Sequence, residues 1–132
     1  MTEQDKQLLL IDLCWRLPYG VKVQDEFGRI NKLVIGNADL IRLFYNDFSI
    51  YGENALSLPF LRPLSSMTEE EVKEFYGVEC MDAKVGYIKP TCNWHFTING
   101  IDWLNTHHFD YRGLIERGLA IEVTKDNNPY KV

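Results

Sequence analysis

Long apolar runs are missing from this chain: the longest, Leu8 to Ile11, falls far short of the ~20 residues a membrane-spanning helix needs. Basic residues are outnumbered, with 14 Lys and Arg against 19 Asp and Glu, and they are scattered singly. Without a basic stripe to neutralise phosphates, general nucleic-acid binding is excluded. Cysteine is sparse and odd in number, Cys14, Cys80 and Cys92, so the three cannot all pair with one another. Together with an N-terminus, "MTEQDKQ", that has neither the basic flank nor the cleavage site of a signal peptide, this predicts reduced thiols in a cytoplasm. No P-loop, no G-x-G-x-x-G and no G-x-S-x-G elbow occurs, which leaves nucleotide hydrolysis, dinucleotide redox chemistry and serine-hydrolase chemistry without a motif.

What is present suits one folded domain spanning residues 1–132. The apolar fraction of 45% and charged fraction of 25% are those of an ordinary globular protein, and 132 residues suffice for a hydrophobic core unaided by disulfides or metal. Thr2 followed by Asp5 has the spacing of a helix N-terminus, and the helix should run to about Leu17, before Pro18 and Gly20. Asp5, Asp12 and Arg16 share a narrow polar stripe on it, with Asp12 and Arg16 a favourable i, i+4 pair. From Val21 the period becomes two: "VKVQD", a turn at Phe27-Gly28 and "INKLVIG" read as a hairpin, and "LIRLFYN" (Leu40 to Asn46) as a third strand. The two prolines of "LPFLRPLSS" predict an extended connector. In "MTEEEV", Thr68 is a cap, Glu71 completes a capping box and Met67 staples onto Val72, opening a helix that ends near Gly77.

"AKVGYIK" and "NWHFTI" follow as two strands, then a turn at Asn99-Gly100 and a helix over "IDWLNTHHF". Asp110 is expected to cap a second short helix, "YRGLIER", stopped by Gly118. "LAIEV" is the last strand, and residues 124–132 form a loosely held polar tail. The fold class is therefore α+β: an N-terminal helix on an antiparallel β-meander, a capped middle helix, and short C-terminal helices returning to a final strand.

Cys92, His95, His107 and His108 come within seventeen positions, with Asp110 close by. Adjacent helical side chains diverge by ~100°, so His107 and His108 do not serve one tetrahedral metal together. No metal or other cofactor is expected, with His95 at the surface and Cys92 a small buried thiol. A better set for chemistry is Arg62, Trp94, His107, His108, Tyr111 and Arg112. Aromatic faces stack on a flat ligand and guanidinium forks hold phosphate or carboxylate, so this group suits a small anionic, nucleotide-like ligand.

Three stretches, "LCWRLPYGVKV", "FLRPLSSMTEEE" and "HHFDYRGLIERGLAIEV", carry a resemblance that spans nearly the whole chain. The sequence resembles a family of small uncharacterised proteins from bacteriophages, prophages and mobile elements of Bacteroidetes. The resemblance implies an accessory protein acting in a bacterial cytoplasm, where such proteins counter host defence by masking a host protein or sequestering a nucleotide signal. The leading expectation is thus a non-enzymatic binding protein. Its rivals are a metal- or His/Asp-dependent hydrolase or nuclease, and an assembly protein that forms homo-oligomers through its first helix.

Overall fold

Helix α1 (Glu3–Arg16) starts where a hydroxyl and an acid are three residues apart. Thr2 Oγ1 accepts from the Asp5 amide at 3.0 Å and Asp5 returns a bond to the Thr2 amide at 3.1 Å, a closed capping box. This computed structural model describes residues 1–46, 56–79, 89–92 and 95–130. Among them are three further helices and a mixed five-stranded sheet, an α+β fold with its helix first.

The hairpin forms as the period-two pattern requires. Strands β1 (Lys22–Gln24) and β2 (Ile30–Lys32) pair antiparallel, and Gly28 takes the left-handed conformation (φ 81°) in the turn. The expected third strand is instead helix α2 (Ala38–Tyr45). Asn37 Oδ1 accepts from the Asp39 and Leu40 amides, an acid sits in the first turn, and Asn46 closes the end in a left-handed conformation. Those end signals, with Leu40 and Leu43 buried three residues apart, outweigh the short alternation that looks like a strand.

The proline-rich stretch is a second correction, because β3 (Leu58–Pro63) is the central strand. It pairs antiparallel with β1 and parallel with both β4 (Phe109–Asp110) and β5 (Ile121–Glu122). Consecutive residues of a strand turn their N–H and C=O groups to opposite edges. Leu58, Phe60 and Arg62 serve one edge, where Gln24 and then the His108 carbonyl lie, whereas Leu61 serves the other, accepting from the Val123 amide at 2.8 Å. Pro59 and Pro63 fall on Leu61's edge. Their missing donors shorten the pairing with β5 and cost the β1 and β4 edge nothing, which reconciles two prolines with a central position.

Between β1 and β4 on that edge the Tyr130 hydroxyl enters the sheet. It accepts from the Lys22 amide at 2.9 Å and donates to the Phe60 carbonyl at 2.7 Å, bridging two strands from within the C-terminal segment.

Helix α3 (Glu69–Glu79) opens with the expected capping box, Thr68 and Glu71 exchanging bonds of 3.0 and 3.2 Å, and it continues through Gly77. Met67 and Val72 join one aromatic core with Phe75, Trp103, Leu104 and Phe109. A second, aliphatic core gathers Leu9 and Leu13 of α1 with Val23, Leu43, Leu61 and Leu114.

Of the remaining expectations, one falls mostly on residues that are not described and the others are revised. The strand "AKVGYIK" lies outside the described residues but for Lys89, which is not in a strand. Residues 95–97 of "NWHFTI" are not a strand, and Ile98 opens helix α4 (Ile98–Thr106), whose cap is Thr97, accepting from the Gly100 amide at 3.1 Å. Asn99 and Gly100 are therefore the first turn of that helix. Finally, residues 111–118 are not a helix: turns cover 114–118, because Gly113 adopts φ 76° and breaks the expected helix at its third residue. Asp110 caps these turns, its two oxygens accepting from the Leu114 and Ile115 amides at 3.0 Å each.

Candidate functional site

The polar stripe of α1 points inward. Asp12 and Arg16 are both fully buried, and Arg16 Nε donates to Asp12 Oδ2 at 2.7 Å while its Nη2 donates to the Phe109 carbonyl at 2.7 Å. Arg112 Nε approaches Asp12 Oδ1 at 3.3 Å, an ion-pair distance without hydrogen-bond alignment. Tyr111 carries a guanidinium near its ring from each arginine, Arg16 at 4.8 Å and Arg112 at 5.1 Å, and its hydroxyl donates to the buried Asn105 Oδ1 at 2.8 Å. One carboxylate thus serves two guanidinium groups from opposite ends of the sequence. Arg16, Asp12 and Asn105 were not in the expected site; a helical i, i+4 pair gave no sign that its partners stood ninety residues away.

Of the expected residues, five are described, and all lie around β4. Arg62, on β3, is held twice by Glu71, both bonds 2.8 Å, and its guanidinium covers the Phe109 ring at 4.1 Å. That fork of two bonds holds the Glu71 carboxyl down at about 2. His107 ends α4 with its ring 4.1 Å from that of Trp103, whose indole N–H donates to Glu74 at 3.1 Å. His108 turns the chain into β4 at φ 62°, and its ring stacks on Tyr130, 3.7 Å apart and 8° from parallel. Trp94 lies outside the described residues. The five lie together in the fold, and the structure commits their cations to carboxylates and their rings to one another.

Burial first, and then the positive charges of Arg16, His107 and Arg62, press the His108 imidazole down to about 4. An unfolded histidine takes up its proton near pH 6.5, so folding stability from this group is complete above that pH and is lost as pH falls toward 4. Discounted for the ring's partial exposure to solvent, this group should account for about 2 kcal/mol between pH 7 and 4. In His108→Asn, which keeps a residue tolerant of positive φ, urea unfolding across that range should lose this component. An unchanged slope would mean that His108 is not held neutral.

The other expectations for this segment divide. His95 is exposed, as read, whereas Cys92 is exposed too, its thiol donating to the Asp110 carbonyl at 3.4 Å. Burial of the sulfur itself, followed by the nearby Asp110 charge, pushes the thiol up, which makes it a poor nucleophile. Among the described residues no three His, Cys, Asp or Glu side chains group as metal ligands, and no helix is long and apolar enough to cross a membrane.

Fold and site together define a small α+β domain organised around an internal ion-pair network. The chain matches no family model, no curated protein and no solved structure.

Proposed function

We propose that this protein is a non-enzymatic binding protein that works by masking a protein partner, with helix α2 as its contact face. The observation that carries this is an exposed apolar surface: on α2, Ile41, Phe44 and Tyr45 are 45, 66 and 72% exposed, and Val34 and Ile35 just before it are 54 and 81% exposed. The two rings meet edge to face 5.2 Å apart. Aromatic and branched side chains gathered outside the core, rather than scattered singly, are what anchors a protein–protein contact.

A nucleotide-like ligand is the weaker half of the original expectation. Arg62 is already paired with Glu71, and Arg16 and Arg112 with Asp12, so an incoming phosphate has to displace an internal carboxylate. The hydrolase reading is weakened likewise, with the Asp110 carboxylate on two backbone amides and His108 stacked on Tyr130. Self-assembly through α1 retains one supporting feature, since Ile11 and Trp15 stand outward one turn apart, 46 and 44% exposed. The setting implied by the phage-family resemblance makes the masked partner a protein of a Bacteroidetes host.

The test is a pair of charges. Ile41→Asp with Phe44→Asp changes only exposed side chains, so unfolding free energy should move by no more than about 1 kcal/mol, while affinity for the partner should fall roughly a thousandfold. A photo-crosslinker at Phe44, used in the host, identifies that partner for the measurement. A complex that survives both substitutions, or crosslinks only to a second copy of this chain, rejects masking through α2.

A further inference from the structure

Strand β2 has a partner on one edge only. In the hairpin, the Leu33 amide donates to the Val21 carbonyl at 2.9 Å and the Asp25 amide to the Arg29 carbonyl at 3.0 Å, so Arg29, Asn31 and Leu33 turn their backbone groups toward β1. Ile30 and Lys32 therefore aim theirs the opposite way, at the outer edge of the sheet, where β2 is the terminal strand. The same alternation shows on β1 at Lys22, whose amide points away from β2 to the Tyr130 hydroxyl. All three residues of β2 are exposed, and among the described residues no strand pairs with the outer edge.

The side chains along this edge are cationic and apolar. Lys22 stands directly opposite Lys32, and Gln24 opposite Ile30, so all four share one face of the sheet. Like charges placed opposite repel, and neither lysine has an ion-pair partner among the described residues. Lysine on an edge strand ordinarily guards it against pairing. Here the side chain leans inward, Lys32 Cε lying 3.7 Å from where a Cβ on Gly20 would stand, so the backbone groups of the edge stay open. The edge also has fixed ends. The Val34 carbonyl is already taken by the Asn37 amide at 3.0 Å, and Gly28 turns the chain at the other end.

We propose that the outer edge of β2 takes an extended segment of another protein as an added antiparallel strand, with the sequence pattern acid, any residue, apolar. One incoming residue lies opposite Lys32 and the residue two further on lies opposite Ile30, each exchanging two backbone bonds with β2. Their side chains fall on the face of Lys22 and Lys32. The first meets two ammonium groups without counter-charge, which selects Asp or Glu; the second meets the exposed flank of Ile30, which selects an apolar residue. A second copy of this chain does not fit, because its own β2 brings two more lysines to a face that holds two already. Ile30 and Lys32 are on the hairpin, so this edge is a contact separate from the α2 face.

The probe is the capped peptide Thr-Thr-Glu-Thr-Val-Thr-Thr, added to the isotope-labelled chain and followed by NMR. The Ile30 and Lys32 amides should shift and exchange more slowly with solvent, while the Asn31 amide, already turned to β1, should shift least. Binding should be modest, with a Kd of about 100 µM. Replacing the peptide's Glu by Lys should weaken it about fivefold, and Lys22→Glu with Lys32→Glu should reverse that preference. N-methylation at the peptide's Glu or Val, whose amides face β2, should abolish binding, whereas at the Thr between them it should be tolerated. Unmoved Ile30 and Lys32 amides at millimolar peptide, or equal binding of the Glu and Lys peptides, overturn the proposal. So does an equal effect of N-methylation at all three positions, or dimerisation of the free chain that protects the same amides. Should the double lysine variant not fold, the peptide series decides alone. The probe carries nothing for Phe44, so its failure leaves the α2 contact to be judged by its own crosslink.

Discussion

Asp12→Ala is expected to lower the free energy of unfolding by about 4 kcal/mol, a large fraction of the stability of an ordinary domain of this size. Exposed i, i+4 ion pairs are worth ~0.3–0.5 kcal/mol, so the same substitution on a solvated face would scarcely register. The difference is burial. Asp12 and Arg16 are both 0% exposed, and removing the carboxylate leaves the Arg16 charge in the interior with the Phe109 carbonyl for its hydrogen bond and strips Arg112 of its counter-charge. Pairing Asp12→Ala with Arg16→Met should recover part of the loss, because the stranded charge goes with its partner, and a double-mutant cycle should return a coupling of about 2 kcal/mol. Urea unfolding at neutral pH reads all three variants. A loss below about 1 kcal/mol in Asp12→Ala would place the pair in solvent and remove the network at the centre of this fold.

The second large effect is expected at Phe109→Ala, at about 4 kcal/mol. Phe109 is 0% exposed, its ring lies parallel to Trp103 within 10° at 5.8 Å, and the Arg62 guanidinium covers it at 4.1 Å. Truncation opens a cavity between α4 and β3 and also takes the ring from beneath Arg62, so the salt bridge to Glu71 loses its support. Phe27→Ala is the matched control: at 72% exposure it should shift stability by no more than about 0.5 kcal/mol. Similar losses at the two positions would contradict the aromatic core described here. Either interior variant also bears on the acid sensitivity of His108, since both disturb the groups packed around it.

Local chemistry was legible wherever it is completed within a few residues. The capping boxes at Thr2 and Thr68 close over three positions, and the hairpin turn at Gly28 needs only a residue free to adopt φ 81°. Helix α2 is equally local, but the alternation of "LIRLFYN" imitates a strand and masks the Asn37 cap before it. The prolines of β3 misled for another reason. Whether a missing N–H matters depends on which edge of the strand it would have faced, and that edge is set by partners at residues 108 and 123.

By itself, then, the sequence determined the class of the fold, the start of α1 and α3, the first hairpin, and the segment from Arg62 to Arg112 around which the polar and aromatic side chains collect. Those follow from backbone hydrogen bonds and periodicities that short peptides already express. Tertiary structure alone decided which face of α1 is inside. A stripe of Asp and Arg is solvated by default, and here it is buried because the Phe109 carbonyl and Arg112 meet it from the far end of the chain, while Ile11 and Trp15 are left outside. An ion pair carries no mark of its own burial; its dielectric surroundings come from residues distant in sequence, and only folding brings them together.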